Sequence, residues 1–287
     1  MTTVFVAGAT GYLGRHIVAS CRARGWQVRA LVRDRSRAEA LGVGADAYVE
    51  AKATDRSALR GLMAGCDLVV SALGITRQKD GLTYRDVDFQ ANVNLLEEAL
   101  DTGIERFAYV HVLNAEAMAE VPLVAAKQAF VDRLRSAPLR STVICPSGFF
   151  SDMEDFLGMA RSGRAWLFGD GALRLNPIHG ADLAEAALDA VEAGMDRLEI
   201  GGPDIFTHAE LASLAFETLD KPVRIIRLPD WTRRAALRIL PRVTPAHIHG
   251  PVQFFLTAMG LEMVGVPHGC RHLADHYRQL AAVPSEE

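Results

Sequence analysis

Residues 4–14 read VFVAGATGYLG, a short apolar strand that runs directly into a turn with glycines at positions 8, 11 and 14. Gly8 allows the tight turn, Gly11 leaves no side chain between the backbone and a pyrophosphate, and Gly14 lets the following helix lie close to the sheet. The amide groups and the positive dipole end of that helix favour an anion. Because the glycines follow a strand and open a helix, they predict a dinucleotide site rather than a purely structural turn.

The 287-residue chain has the composition of an ordinary globular protein, with 49% hydrophobic and 23% charged residues. Its formal net charge of -4 gives no long-range attraction to nucleic acid or anionic membranes. The four cysteines include no Cys-x-x-Cys pair, which favours reduced thiols over disulfides or a metal site. Residues 67–74 are apolar but too short to cross a bilayer, and Met1 leads directly into the first strand. We therefore expect a cytoplasmic protein without a metal, a nucleic-acid partner, a signal peptide or a membrane span.

Apolar strands and amphipathic helices alternate over about the first 200 residues, which is typical of the α/β class. We expect a doubly wound (Rossmann) parallel sheet of about seven strands, with a long helix over 84–102 and a loop-rich stretch over 146–176. The nicotinamide dinucleotide domain is predicted at 1–202, with a loop insertion at 147–178 that contributes to the substrate site. A small helical substrate lobe is predicted at 203–287, where Thr207 and Glu210 form a capping box and five prolines separate apolar helices.

The residue after the second strand usually decides between NAD and NADP, and here it is Arg33. A guanidinium suits a 2′-phosphate, and Arg15 in the first turn of the first helix offers a second contact. Asp34 complicates this pattern, and a solvated loop with scattered arginines is the alternative. The sequence favours NADP(H) over NAD(H).

Further cofactor contacts follow from position. Thr54 and Asp55 follow the third strand near the expected adenine, although Asp55 equally suits a helix cap. The end of the fourth strand is expected beside the nicotinamide ribose, and Asn92 faces either that strand end or solvent. The residues predicted from the chain alone to bind the cofactor are Gly8, Thr10, Gly11, Tyr12, Leu13, Gly14, Arg15, Arg33, Thr54, Asp55, Ala72, Leu73 and Gly74.

These segments together resemble the atypical and extended branch of the short-chain dehydrogenase/reductase superfamily. The resemblance covers the glycine turn, Leu31 to Arg33, Val69 to Gly74, Val93 to Glu97, Tyr109-Val110, Lys127, Pro146 to Phe150 and Asn176 to His179. Within the superfamily the chain looks most like the NmrA-like and divinyl chlorophyllide reductase-like groups. The resemblance adds Lys127, Pro146 and Phe149 to the cofactor site.

Typical members use a Tyr-x-x-x-Lys pair and a serine after the fifth strand. Here Lys127 holds the lysine position, but Leu123 stands in place of the tyrosine, and the serine position holds His111 or Val112. A leucine cannot transfer a proton, so the resemblance implies hydride transfer to an activated C=C (or C=O) of a mainly apolar substrate. The candidates for catalysis are Lys127, His111, whose titration near neutral pH suits a proton donor, and Tyr109. The alternatives are a lysine on the helix surface, a packed or capping histidine, and a tyrosine buried in the core.

Several other side chains have two interpretations. His179 is expected to secure a loop, and Asp152, Glu154 and Asp155 to form a solvated helix start. An apolar substrate pocket and ordinary packing of the lobe both explain one aromatic-rich set, which comprises Phe149, Phe150, Met153, Phe156, Trp166 and Phe168.

Two other classes of function remain open at this point. The chain resembles NmrA-like proteins, some of which bind NADP as sensors without turning it over. It also resembles an accessory subunit of respiratory complex I, for which the helices around residues 254–256 would be a docking face. Monomer and homodimer are equally compatible with the sequence.

Overall fold

A computed structural model describes residues 1–75 and 81–282, with no side chain described for Ala246. The strands are β1 (Thr3–Ala7), β2 (Gln27–Val32), β3 (Ala47–Glu50), β4 (Leu68–Ser71), β5 (Arg106–Val110), β6 (Arg140–Pro146), β7 (Ala165–Phe168), β8 (Arg174–Leu175), β9 (Arg197–Gly201), β10 (Phe206–Thr207), β11 (Ile225–Leu228) and β12 (Val266–Pro267). The α-helices are α1 (Tyr12–Ala23), α2 (Arg35–Ala40), α3 (Arg56–Leu59), α4 (Asn92–Asp101), α5 (Pro122–Arg135), α6 (Phe150–Arg161), α7 (Gly180–Glu192), α8 (His208–Thr218), α9 (Asp230–Val243), α10 (Ala246–Ala258) and α11 (Leu273–Ala282). A π-helix (Arg85–Ala91) precedes α4, and a 3₁₀-helix (Ala115–Met118) precedes α5.

Eight strands form one parallel sheet in the order β12-β9-β6-β5-β4-β1-β2-β3, which confirms the predicted fold class with one strand more than expected. The order reverses at β1, where β2 and β4 pair on its two sides. Helices cover both faces of such a sheet, and its central strands β1, β4 and β5 are accordingly almost entirely buried. The core between sheet and helices includes Phe5, Val69, Phe107 and Phe130, all at most 1% exposed.

The chain divides into two compact units. The first comprises Met1–Cys145 and Leu183–Leu198, and the second comprises Pro146–Asp182 and Glu199–Glu287, of which 283–287 lie outside the described residues. Two small sheets, β10-β8 and β11-β7, belong to the second unit. The assignment of substrate binding to residues 147–178 and 203–287 stays a prediction. None of the helices described over 1–75 and 81–282 is both long and apolar enough to span a membrane.

Three expectations about elements were wrong. The stretch 146–176 is not mainly loop, because it contains α6, β7 and β8. The glycines of this stretch suggested loops, but they lie at the ends of regular elements or inside one. Gly163 (φ 88°) follows α6 and Gly169 (φ 66°) follows β7, while Gly158 lies inside α6. Pro241 and Pro251 lie within α9 and α10 rather than between helices. The long helix 84–102 is interrupted, since its first part is the π-helix.

One local prediction is confirmed and another is modified. Thr207 and Glu210 form the predicted capping box, in which the threonine hydroxyl accepts a hydrogen bond from the Glu210 amide (3.1 Å) and the Glu210 carboxylate accepts one from the Thr207 amide (2.7 Å). His179, expected to secure a loop, supports a helix start instead, because its Nδ1 accepts the Ala181 amide (3.1 Å) in the first turn of α7. In both cases a side chain satisfies amides that a helix leaves unpaired at its start.

Candidate functional site

The three glycines of the turn between β1 and α1 differ in how much space the surrounding backbone leaves for a side chain. Gly8 has a φ of 80°, and a Cβ on it would come within 2.7 Å of the Ala72 carbonyl oxygen. A Cβ on Gly14 would overlap the Gly8 carbonyl. Gly11 has an ordinary extended backbone (φ -75°, ψ 170°), and its Cβ would meet the Gly8 oxygen at 3.3 Å. The protein's own packing therefore requires glycine at 8 and 14 more strongly than at 11.

The start of α1 is open to an anion. Gly11 is its N-cap, no described side chain caps it, and its first turn carries no acidic residue. Helix-start amides and the helix dipole then favour a negatively charged group, which a side chain at position 11 would obstruct. These features fit the pyrophosphate of a dinucleotide.

The charged residues that follow β2 have different roles. Asp34 caps α2 by accepting the Arg37 amide (2.9 Å), and the Arg35 guanidinium pairs with Glu39 (2.8 Å). Arg33 is exposed directly after the strand, and Arg15 is exposed in the first turn of α1. Asp34 thus has a structural role of its own, and contact of Arg33 and Arg15 with a 2′-phosphate stays a prediction.

Asp55 caps α3, as the alternative interpretation expected. Its Oδ1 accepts the amides of Ser57 (3.0 Å) and Ala58 (3.3 Å) as well as the Ser57 hydroxyl (2.7 Å). The Ser57 hydrogen bond is the main cause of a lowered pKa for this carboxyl. Thr54 is exposed beside it, and contacts from either residue to an adenine stay predictions.

Asn92 connects the end of β4 to the π-helix, and it does not face solvent. Its Oδ1 accepts the Ser71 hydroxyl (2.6 Å), and its Nδ2 donates to the carbonyls of Val87 and Asp88 (3.1 Å each). The Asn92 side chain thus bonds backbone carbonyls within the wider π turn. Such single π turns inside helices are frequent at functional sites.

Lys127 lies in a buried polar cluster at the end of β4. Its Nζ lies 3.4 Å from Asp88 Oδ1 and donates to the Tyr109 hydroxyl (3.4 Å) and to the Val110 carbonyl (3.1 Å). The lysine side chain is 13% exposed and that of Asp88 is fully buried. A Cβ on the exposed Gly74 would reach Asp88 Oδ1 at 2.7 Å and Lys127 Nζ at 3.0 Å. The ammonium group therefore lies directly behind the Gly74 backbone.

Asp88, which is not among the residues predicted from the sequence, is a further candidate for the site around Lys127. Burial raises the pKa of its carboxyl to about 6, although the charge of Lys127 opposes this. Its Oδ2 accepts the Ile75 amide at 3.4 Å, so the carboxyl contacts both the segment after β4 and the lysine. The available signal was an acidic residue between Val87 and Phe89, on the apolar side of the predicted long helix.

Tyr109 is fully buried, and its hydroxyl donates to the Asp88 carbonyl (3.4 Å) while accepting from Lys127. Burial raises the pKa of the phenol well above its ordinary value. These contacts suit a residue that positions Lys127. Leu123, at the family's tyrosine position, is buried and apolar.

His111 does not titrate near neutral pH, contrary to expectation. It is 3% exposed, and burial lowers its pKa to about 4, with the charge of Lys127 acting in the same direction. Its Nε2 lies 3.0 Å from Gln128 Oε1. The ring is therefore neutral at pH 7, and an imidazolium acid is not available there.

In the second unit, the residues around α6 serve mainly to build the fold. Phe150, Met153 and Phe156 are at most 6% exposed, which agrees with lobe packing. Asp152 accepts the Phe149 amide (3.1 Å) at the start of α6. Cofactor contacts from Pro146 and Phe149 stay predictions.

Comparison with known proteins agrees with this geometry. Residues 8–193 match the family described as NAD(P)H-binding. A chloroplastic divinyl chlorophyllide a 8-vinyl-reductase of Oryza sativa subsp. indica is 30% identical over 265 residues, covering 83% of this chain and 64% of that protein. A mitochondrial NADH dehydrogenase [ubiquinone] 1 alpha subcomplex subunit 9 of Arabidopsis thaliana is 26% identical over 244 residues, covering 80% and 60%. The chain thus spans less than two thirds of either plant protein.

The fold is similar to that of an NADPH-dependent quinone oxidoreductase of Escherichia coli crystallised with NADPH. The TM-score is 0.74 at 18% identity, with 96% of this chain and 99% of that chain covered. The likeness confirms the Rossmann architecture. With a family match over more than half its length, the chain belongs to the NAD(P)H-binding family.

Proposed function

We propose that this protein is an NADP(H)-dependent reductase that transfers hydride to an activated carbon–carbon double bond, or a carbonyl, of a mainly apolar substrate. The observation that carries the proposal is the Lys127 ammonium held by Asp88, Tyr109 and Val110 behind the exposed Gly74 backbone. A fixed positive charge at the cofactor end of the sheet would stabilise negative charge that develops during reduction.

Each part of the site has a distinct role in this proposal. The turn at Gly11 binds the pyrophosphate, Arg33 and Arg15 bind the 2′-phosphate, and Lys127 binds the nicotinamide ribose. When bound, the cofactor supplies the hydride. Asp88 and Tyr109 hold the ammonium in place.

The side chains around Lys127 favour a substrate that carries its own electron sink. Leu123 cannot donate a proton, Tyr109 is fully buried, and His111 is neutral. An enone-like substrate needs no phenol, because its conjugated carbonyl takes up the charge and the carbon is protonated afterwards by solvent. The rice relative is named a vinyl-reductase, which supports this reaction class.

The test is NADPH oxidation by the purified protein against a panel of enones and quinones. Lys127→Ala is expected to lower kcat/KM by about 100-fold or more, which is the usual cost of removing a preorganised charge. Arg133→Ala is the matched control, since Arg133 is exposed on the same helix. Undiminished turnover in Lys127→Ala would remove the lysine from the mechanism.

Coenzyme preference is tested separately with Arg33→Gln. The loss of a charge-assisted contact to phosphate should weaken NADPH binding by about tenfold or more, while NADH binding stays the same. Equal binding of both coenzymes before and after the substitution would contradict the NADP preference.

A second candidate is a protein that binds NADP without turning it over. Leu123 favours it, because a buried hydrocarbon replaces the family's acid. The Arabidopsis relative, named as a subunit of NADH dehydrogenase, is compatible with such a role. Tight NADP binding without NADPH oxidation over the whole panel would favour this candidate over the reductase.

A further inference from the structure

Helix α9 and helix α10 of the second unit leave an unusual number of large apolar side chains in water. Among the described residues, thirteen large hydrophobic side chains are exposed, and six of them lie between positions 231 and 255. They are Trp231 (65% exposed), Ile239 (55%), Val243 (67%), Ile248 (49%), Val252 (36%) and Phe255 (39%). Exposed apolar side chains that cluster in this way mark an interaction surface.

The exposed side chains of α9 form two adjacent rows. Residues four apart lie on one face of a helix, so Trp231, Ile239 and Val243 share an apolar row with Ala235. A basic row of exposed arginines, at positions 234, 238 and 242, runs beside it. On α10, Ile248, Val252 and Phe255 are exposed at helical spacing as well.

The charge of this segment is opposite to that of the whole chain. Residues 231–261 contain four arginines and no aspartate or glutamate, whereas the whole chain has a net charge of -4. Arg233 and Arg234 pair with Asp230 at the start of α9 (2.7 and 2.9 Å). Neither Arg238 nor Arg242 has a carboxylate within ion-pair distance in the described part of the chain. Two unneutralised arginines thus lie beside the apolar row.

Contacts between α9 and α10 hold these two helices against each other without using the exposed apolar row. Arg233, whose side chain is 12% exposed, bonds Asp230 and donates to the Leu256 carbonyl of α10 (3.0 Å). Leu256 is buried, while its neighbour Phe255 is exposed. The outer rows of α9 are therefore available to a partner.

We propose that α9 and α10 dock onto the surface of an anionic lipid bilayer. A helix that carries tryptophan and aliphatic side chains on one row and arginines on the next lies in the membrane interface, with its apolar side chains among the acyl chains. The arginines bind lipid phosphates and carboxylates while their stems stay apolar. The absence of acidic side chains from 231–261 favours such a surface over a protein partner, whose surface carries both signs of charge. The proposal is independent of the cofactor and of the reaction.

The test is co-sedimentation of the full chain with vesicles of pure phosphatidylcholine and with vesicles of three parts phosphatidylcholine to one part phosphatidylserine. We expect partitioning onto the anionic vesicles that weakens as salt is added. Arg238→Glu with Arg242→Glu should weaken it by about 30-fold or more, since each basic side chain near such a surface contributes about fivefold. Ile239→Ser with Val243→Ser should also weaken it while the salt dependence stays.

The matched control reverses two exposed arginines of the first unit, Arg133→Glu with Arg140→Glu, which gives the same net charge. This control should bind as the parent does. The proposal is overturned by no binding to anionic vesicles at low salt, by equal binding to neutral vesicles, or by an equal loss in the control. A dimer in solution that the Ile239 and Val243 substitutions dissociate would instead assign the surface to a second copy of the chain.

Discussion

Asp88 is the acidic partner of Lys127 at the end of β4. The carboxyl is fully buried, lies 3.4 Å from the ammonium, and has its pKa raised to about 6 by burial. Above that pH it is a carboxylate beside the lysine, and below it becomes a neutral acid that holds the ammonium less tightly. The position of Lys127 should therefore depend on pH in the mildly acidic range.

Asp88→Asn tests this dependence. We expect the parent to lose kcat as pH falls through about 6, and the variant to have a lower kcat that no longer changes over this range, with KM little altered. The measurement is a pH profile of both constants. Asp86→Asn is the control, because Asp86 belongs to the same π-helix but bonds Thr83. If the kcat of Asp88→Asn still fell as pH dropped through about 6, another group would be the cause of that fall.

The three glycines of the first turn predict different consequences of substitution. Gly11→Ala should lower dinucleotide affinity by about tenfold or more, because its methyl group enters the space of the pyrophosphate while the fold needs only a small shift at the 3.3 Å contact. Gly14→Ala should reduce the folded yield, since its Cβ overlaps a backbone carbonyl. Calorimetric titration with NADP and thermal melting separate the two effects. Equal affinity in Gly11→Ala would argue against a pyrophosphate at this helix start.

At the scale of elements, the π-helix is the feature that brings Asp88 to Lys127. The amphipathic pattern over 84–102 is compatible with one regular helix, and the sequence alone predicts that. The structure has a π-helix over the first part of this segment instead. The Asn92 side chain supports it by donating to the Val87 and Asp88 carbonyls and accepting the Ser71 hydroxyl at the end of β4.

Asn92→Ala should therefore destabilise the protein by about 2–3 kcal/mol, since it leaves buried carbonyls without a donor. Urea denaturation measures the change. Gln90→Ala is the control, because Gln90 is exposed in the same π-helix and donates to Asn94 Oδ1 (3.0 Å) rather than to the π turn, and it should cost about 1 kcal/mol. If both variants had equal stability, the asparagine contacts would not support the π turn.

At the scale of the whole molecule, buried histidines make the fold sensitive to acid. Burial lowers the pKa of His111 and of His208 to about 4, whereas a histidine in the unfolded chain titrates near 6.5. Between these values the unfolded chain binds protons that the native protein does not, so stability falls as pH falls from about 6.5 to 4. Each histidine accounts for up to about 3 kcal/mol. The raised pKa of Asp88 acts in the opposite direction.

The double variant with His111→Gln and His208→Gln should therefore unfold at a urea midpoint that depends less on pH than that of the parent. His268→Gln is the control, because His268 is exposed. An unchanged pH dependence in the double variant would mean that the two rings take up their protons without unfolding.

The amino-acid sequence alone was sufficient to predict the Rossmann architecture and the glycine turn between β1 and α1. These depend on local rules: glycine spacing, the alternation of apolar strands with helices, and a motif of a few adjacent residues. The capping box of Thr207 and Glu210 followed from the same kind of local pattern.

The contacts around Lys127 could be known only from the folded chain. The partnership of Asp88, Tyr109 and Lys127 joins a π-helix, a strand and a helix that are separated in the chain. Burial depends on everything that is packed around a side chain. It lowers the pKa of His111 and raises the pKa of Asp88 from their ordinary values. The same holds for α9, because only packing shows which of its apolar side chains remain in water.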